Sequence, residues 1–198
     1  SRGYEQFARD DYLYTQFRVI VTYIRLIFFP SGQNIDYDYD LYTSFSNPRV
    51  WASFIFIASV FSLSLYLLYR SKRNPALRLP AFGILWFFIT LSVESSVIPI
   101  PMLIDEYRLY LPSAGAFTSI ISGLFLLSIR FKKANKFLVP ALVSFAIALS
   151  AACYARNGLW ASEISLWEDT VRKSPWKART HNNLGIAYRD GKFDEKAE

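Results

Sequence analysis

Cysteine and histidine are nearly missing from these 198 residues: one Cys and one His are present. The lone Cys153 cannot close an internal disulfide, and near a helix end it reads as a small apolar filler. His181 has no Cys or His neighbours at metal-ligand spacing, so packing or surface roles suit it. A Gly-rich phosphate loop and a Gly-x-Ser-x-Gly elbow are also absent, which removes the common nucleotide and serine-hydrolase chemistries. Acids alternate with rings in Gln33–Asp40, where Asp36, Asp38 and Asp40 suggest a calcium loop. That motif needs Gly and Glu where Leu41 and Asn47 stand. An extended surface segment with tyrosines at a membrane boundary is expected there, and no metal site is assigned.

Apolar residues are abundant. They make up 53% of the chain, aromatics make up 18%, and the mean hydropathy is +0.19. Four segments read as membrane helices: Val50–Tyr69, Pro80–Ile98, Tyr110–Ile129 and Phe137–Tyr154. All are uncharged except for Glu94. Gly115 and Gly123 mark places for close helix packing, and Pro140 falls in the first turn of its span. Phe17–Phe29 is too short to span and carries Arg18 and Arg25 on one face, so an interfacial helix is expected.

The net charge of +6 and pI near 9.4 could suit nucleic acid, but the basic residues sit in two short blocks between apolar runs. Arg70–Arg78 and Arg130–Lys136 hold four basic residues each and no acid, and they belong on the cytoplasmic side. Nucleic acid is therefore not an expected partner. The Pro99–Tyr110 loop, residues 1–49 and the chain after Tyr154 then face outside.

That loop follows an apolar run containing Glu94, breaks at Pro99 and Pro101, and presents Asp105, Glu106 and Arg108. Acids and arginine at membrane depth are costly and are functional candidates. Arg108 can grip a phosphate with its planar fork, and beside a membrane the natural phosphate is a lipid headgroup or lipid-linked sugar. Equally, it can pair with Asp105 or Glu106 to fix the loop. Arg18 and Arg25 are further candidates for the same phosphate, with Glu106, Asp105, Glu94 and Tyr110 in support.

After Tyr154 a helix should run to a stop at Pro175. Leu184, Gly185, Tyr188 and Ala197 then fall at tetratricopeptide-repeat spacing, with Gly191 one place early for the turn. The expected fold class is all-α: a polytopic domain over 1–154, then an outside-facing helical linker and the first repeat of a solenoid over 155–198. Both ends read as cut from a longer protein.

The run Glu106-Tyr-Arg-Leu-Tyr-Leu-Pro-Ser113, the junction Trp160…Leu166-Trp-Glu…Pro175…His181-Asn-Asn-Leu-Gly185 and the entry Arg25-Leu-Ile-Phe-Phe-Pro30 resemble the transmembrane and tetratricopeptide-repeat O-mannosyltransferases and their bacterial relatives. The resemblance implies a GT-C-type glycosyltransferase. It would move a sugar from a polyprenyl-phosphate donor to protein on the outer face, with the repeats presenting the acceptor. The family's catalytic acids belong to an earlier outside loop, so that role is not assigned to Asp10 and Asp11, and the fragment alone is expected to be inactive. The short interhelix loops suggest a bacterial inner membrane, with the periplasm outside. The competing expectations are a non-enzymatic membrane anchor displaying a repeat scaffold for envelope assembly, and a glycan ligase or polymerase that shares the lipid donor.

Overall fold

The computed structural model describes residues 8–93, 95, 100 and 102–194. Glu94, Pro99, Pro101 and Ala197 lie outside the described residues. Among those described, every regular element is helical. Four helical segments are long and apolar enough to cross a bilayer: Pro48–Arg70, Pro75–Ser92, Glu106–Arg130 and Lys136–Ala161. The described residues form an all-helical fold with four candidate membrane spans, as a membrane protein would have.

The first helix, α1 (Arg9–Phe28), is longer than the sequence suggests. Its polar first turn is helical because Asp10 and Asp11 sit at the positive end of the helix dipole. Tyr12, Thr15, Gln16, Val19, Ile20, Tyr23, Leu26 and Ile27 recur at steps of three and four, and all are buried. Val19, Ile20, Tyr23, Leu26 and Ile27 join Phe87, Leu91 and Ile104 in one core. The apolar face expected to lie on lipid is thus covered by protein.

Asn47 caps α2 (Pro48–Arg70), accepting a hydrogen bond from the Arg49 N–H at 3.0 Å, while Pro48 supplies a preset first turn. A 3-10 turn at Pro75–Leu77, capped by Asn74, leads into α3 (Arg78–Ser92). This second span therefore begins before Pro80; its described helix runs to Ser92, and the expected end at Ile98 lies outside the described residues. Next comes α4 (Tyr110–Arg130).

Close packing of α3 on α4 comes from a glycine pair. A Cβ built on Gly83 would lie 2.5 Å from the Gly115 carbonyl oxygen, and one on Gly115 would lie 2.6 Å from the Gly83 oxygen. Gly115 does what its spacing suggests; Gly123 does not, since nothing lies within 4 Å of a Cβ there. Gly83, on the other helix, is the true partner.

The second basic segment is not a loop. Helix α5 (Lys132–Asn157) starts one residue after Phe131, because lysine and alanine are good helix formers. Pro140 consequently lies inside the helix rather than in its first turn, and one intrahelical hydrogen bond is lost there. A 3-10 turn at Gly158–Ala161 then joins α6 (Glu163–Lys173), capped by the Ser162 hydroxyl, and α7 (Ala178–Asp194) follows.

Tyr188 donates to Glu168 and Gly191 faces Ile164, so α6 and α7 run antiparallel. No turn forms at Gly191. The helix continues to Asp194, and the missing side chain lets Ile164 Cδ1 come within 3.1 Å of where a Cβ would sit.

Candidate functional site

The loop between α3 and α4 is anchored on α1. Gln16 Nε2 donates to the Leu103 carbonyl at 3.1 Å. The Tyr23 hydroxyl donates to the Asp105 carbonyl and accepts from the Asp105 N–H, each at 3.0 Å. Tyr23 is fully buried, so both polar groups of Asp105's backbone are satisfied away from water. From there Glu106–Leu109 forms a 3-10 turn, which returns the Arg108 side chain to Asp105. Arg108 Nη2 and Asp105 Oδ2 lie 2.7 Å apart, with side chains only 2% and 6% exposed. Beside them stands Tyr12, also fully buried. Burial pushes its phenol above the ordinary value, and the Arg108 charge opposes this only in part.

Glu106 turns the other way. Its Oε1 accepts from the Asn34 N–H and from the Tyr37 hydroxyl, both at 2.6 Å. Burial, then the bond to Glu106, drive the Tyr37 phenol far above its usual range, so Tyr37 stays neutral and donates. Arg108 is therefore paired with Asp105, while Glu106 belongs to the Asp/Tyr loop.

That loop is not the plain surface segment expected. Asp38 and Asp40 are exposed, but Asp36 is 3% exposed and ion-paired to Lys177, with Arg179 Nε at 3.6 Å. The Ser174 hydroxyl, fully buried, accepts from Asn34 Nδ2 at 2.8 Å and from the Asp38 N–H at 3.0 Å. It donates to the Asp36 carbonyl at 2.8 Å, so its one donor and two lone pairs are all used. Lys173 adds a bond to the Gln33 carbonyl at 2.8 Å. The α6–α7 hairpin is thereby locked to the Asp/Tyr loop, and through Asn34 and Tyr37 to Glu106.

Asp169 braces α6 from the other side, held by Arg156 at 2.7 Å and Lys173 at 2.6 Å. Burial works against its charge, yet the bonds from Lys173 and Arg156 win and keep its carboxyl below the usual carboxylate range.

Ser174→Ala tests this junction. Removing one hydroxyl leaves two donors without that acceptor, which should cost about 2 kcal/mol. Hydrogen exchange at the Asp38 amide should quicken measurably. Unchanged exchange there would mean that the hydroxyl does not hold the loop.

The three arginines expected to share one phosphate meet different partners. Arg108 is turned inward on Asp105, with its Cζ 5.9 Å from the Tyr107 ring centroid. Half-buried Arg18 donates to Ser53 Oγ of α2 at 3.1 Å. Arg25 is exposed and reaches the Ser31 carbonyl at 3.1 Å, with its charge felt by Tyr37. Tyr110 is 86% exposed. His181 bonds the Pro175 carbonyl at 2.8 Å at the start of α7. Sequence reasoning missed Tyr12, Tyr23, Asn34, Ser174 and Lys177. Each is an ordinary residue whose partner lies far along the chain, so no local pattern marks it.

No family model matches the chain, and no solved structure matches it significantly. The sequence is, however, 34% identical over 96 residues to a protein O-mannosyl-transferase of Caenorhabditis elegans, a match covering 48% of this chain and 13% of that much longer relative.

Proposed function

We propose that this chain is part of a membrane glycosyltransferase of GT-C type that moves a sugar, mannose in the simplest case, from a polyprenyl-phosphate carrier to protein hydroxyls. The observation that carries this reading is the likeness to a relative named protein O-mannosyl-transferase. Support comes from an arginine and acid loop held at the end of membrane-spanning helices, where a lipid-linked phosphate would lie. In the transfer, the acceptor oxygen bonds to the sugar C1 as the C1–O bond to phosphate breaks. The polyprenyl phosphate leaves with the electron pair, and the hydroxyl proton passes to a general base.

Preorganised cations are what the developing phosphate charge needs. Arg108 is assigned that phosphate, with Asp105, Glu106, Glu94 and Tyr110 in support. Because Arg108 is turned inward, the donor must open the loop to reach it. Arg25 is the cation in open reach, and Arg18 is the third candidate. By the distribution of basic residues, the loop and the α6–α7 hairpin face the outer side of the membrane, which in a bacterium is the periplasm. Residues 1–154 form the membrane domain. From 155 onward the antiparallel α6–α7 pair opens a tetratricopeptide-repeat solenoid that binds the protein acceptor.

The test is transfer from labelled polyprenyl-phosphate sugar to protein, in membranes carrying the full-length protein. Arg108→Ala at matched abundance should lower transfer at least 100-fold, on the order of one lost transition-state donor. Arg25→Ala should weaken donor use several-fold. Transfer that survives Arg108→Ala would return that residue to a structural role. No transfer by the wild type across several sugar donors would favour a repeat scaffold displayed on a membrane anchor.

A further inference from the structure

At the far end of α3 and α4 from the loop lies a groove of about 410 Å³. Arg78, Leu79 and Phe82 of α3 form one wall, and Ser122, Phe125 and Leu126 of α4 form the other, with the Pro75–Leu77 turn across the end. The spacing is helical on both sides, so each triplet presents one face. This volume is within the usual range for ligand sites. Its walls are apolar and exposed: Leu79 is 53% exposed, Phe82 53% and Phe125 62%.

Charge at this end is one-sided. Arg70, Lys72, Arg73, Arg78 and Arg130 are all exposed, and none joins an ion pair among the described residues. The sequence holds no Asp or Glu between residues 41 and 93, nor between 107 and 162, so the chain has no acid near enough in sequence to balance them. At the other end, by contrast, Asp36, Asp105 and Asp169 each neutralise a cation. An apolar groove with a guanidinium in its wall and uncompensated positive charge around it calls for an amphiphile with an anionic head. A zwitterionic lipid would fill the groove without balancing the charge. A free phosphate would meet the charge and leave the groove empty.

We propose that this groove binds one acyl chain of an anionic phospholipid, with Arg78 on the headgroup phosphate. The site is separate from the loop that faces the sugar donor and lies at the opposite end of the same two helices. Basic residues at a membrane surface each favour anionic lipid, and Arg78 adds a directed hydrogen-bonding fork.

The experiment is native mass spectrometry of the full-length protein, released from micelles containing equal phosphatidylglycerol and phosphatidylcholine. The wild type should retain phosphatidylglycerol in preference, and Arg78→Gln should cut that preference about fivefold. Ser122→Phe, which fills the groove, should lower retention of both lipids while the helical circular dichroism stays unchanged. Glycerol phosphate without acyl chains should give no bound species. Equal retention of the two lipids by the wild type, or an undiminished preference in Arg78→Gln, would overturn the assignment.

Discussion

Asp105→Asn should lower the thermal midpoint of the detergent-solubilised protein by about 10 °C. The carboxylate lies 2.7 Å from Arg108, and both side chains are nearly sealed from water. Removing one charge of such a pair leaves the other ion in a low-dielectric site, which typically costs about 3–5 kcal/mol. For a protein of this size, each kcal/mol moves the midpoint by roughly 2–4 °C. An exposed pair would behave otherwise, since surface ion pairs contribute at most about 1 kcal/mol. A change under about 2 °C would therefore show that the pair is not buried as described. The double variant Asp105→Leu with Arg108→Met separates stability from activity. Apolar residues of similar size should restore most of the midpoint, because neither charge then needs solvation. Sugar transfer should stay low, since Arg108, the guanidinium proposed for the donor phosphate, is gone while Arg25 and Arg18 remain. Recovery of both would remove Arg108 from the donor site.

A second large effect is expected at the α3–α4 crossing, and its sign is opposite at two glycines eight residues apart on one helix. Gly115→Ala should destabilise the protein by about 2 kcal/mol, because over-packing of this kind costs roughly 1–3 kcal/mol. The new methyl would lie 2.6 Å from the Gly83 carbonyl oxygen and 2.7 Å from Trp86 Cδ1. Backbone on the facing helix cannot step aside, so the helices must separate. Their separation would also stretch the bond from Trp86 Nε1 to the Leu111 carbonyl, now 3.2 Å. Gly123→Ala should do the reverse. It meets open space, and alanine is up to about 1 kcal/mol better than glycine inside a helix. Thermal midpoints of the two variants, measured side by side, check the pair. Equal shifts would mean that the crossing is not set by Gly83 and Gly115.

Much of the fold is legible because membrane helices are written in the sequence as uninterrupted apolar runs. The four spans are of this kind, and so are the basic residues that punctuate them. Their ends are less legible. Asn74 and Pro75 start the second span early, and lysines that read as a loop open α5, which leaves Pro140 inside a helix. Composition alone also sets the start of α1 too late, since it does not credit an acidic first turn. The Asp105–Arg108 pairing is among the readings that the sequence leaves open for Arg108, beside a donor phosphate and Glu106, since neighbours three apart on a turn can be seen in sequence. Glu106 could not be assigned in that way. Its partners, Asn34 and Tyr37, are about 70 residues distant along the chain.

The sequence by itself determined that the chain is helical and membrane-spanning, with an acid and arginine loop between two spans and basic residues at the other end. These follow from hydropathy, charge placement and helix-breaking prolines, all of which act over a few residues. Only the tertiary structure decided that Gly83 meets Gly115 and that Arg108 faces inward against Asp105. It alone decided that Ser174 and Asp36 tie the last two helices to the loop beside Glu106. The interhelix and loop contacts join segments up to 141 residues apart, and the inward turn of Arg108 depends on the burial around it; no local pattern encodes either.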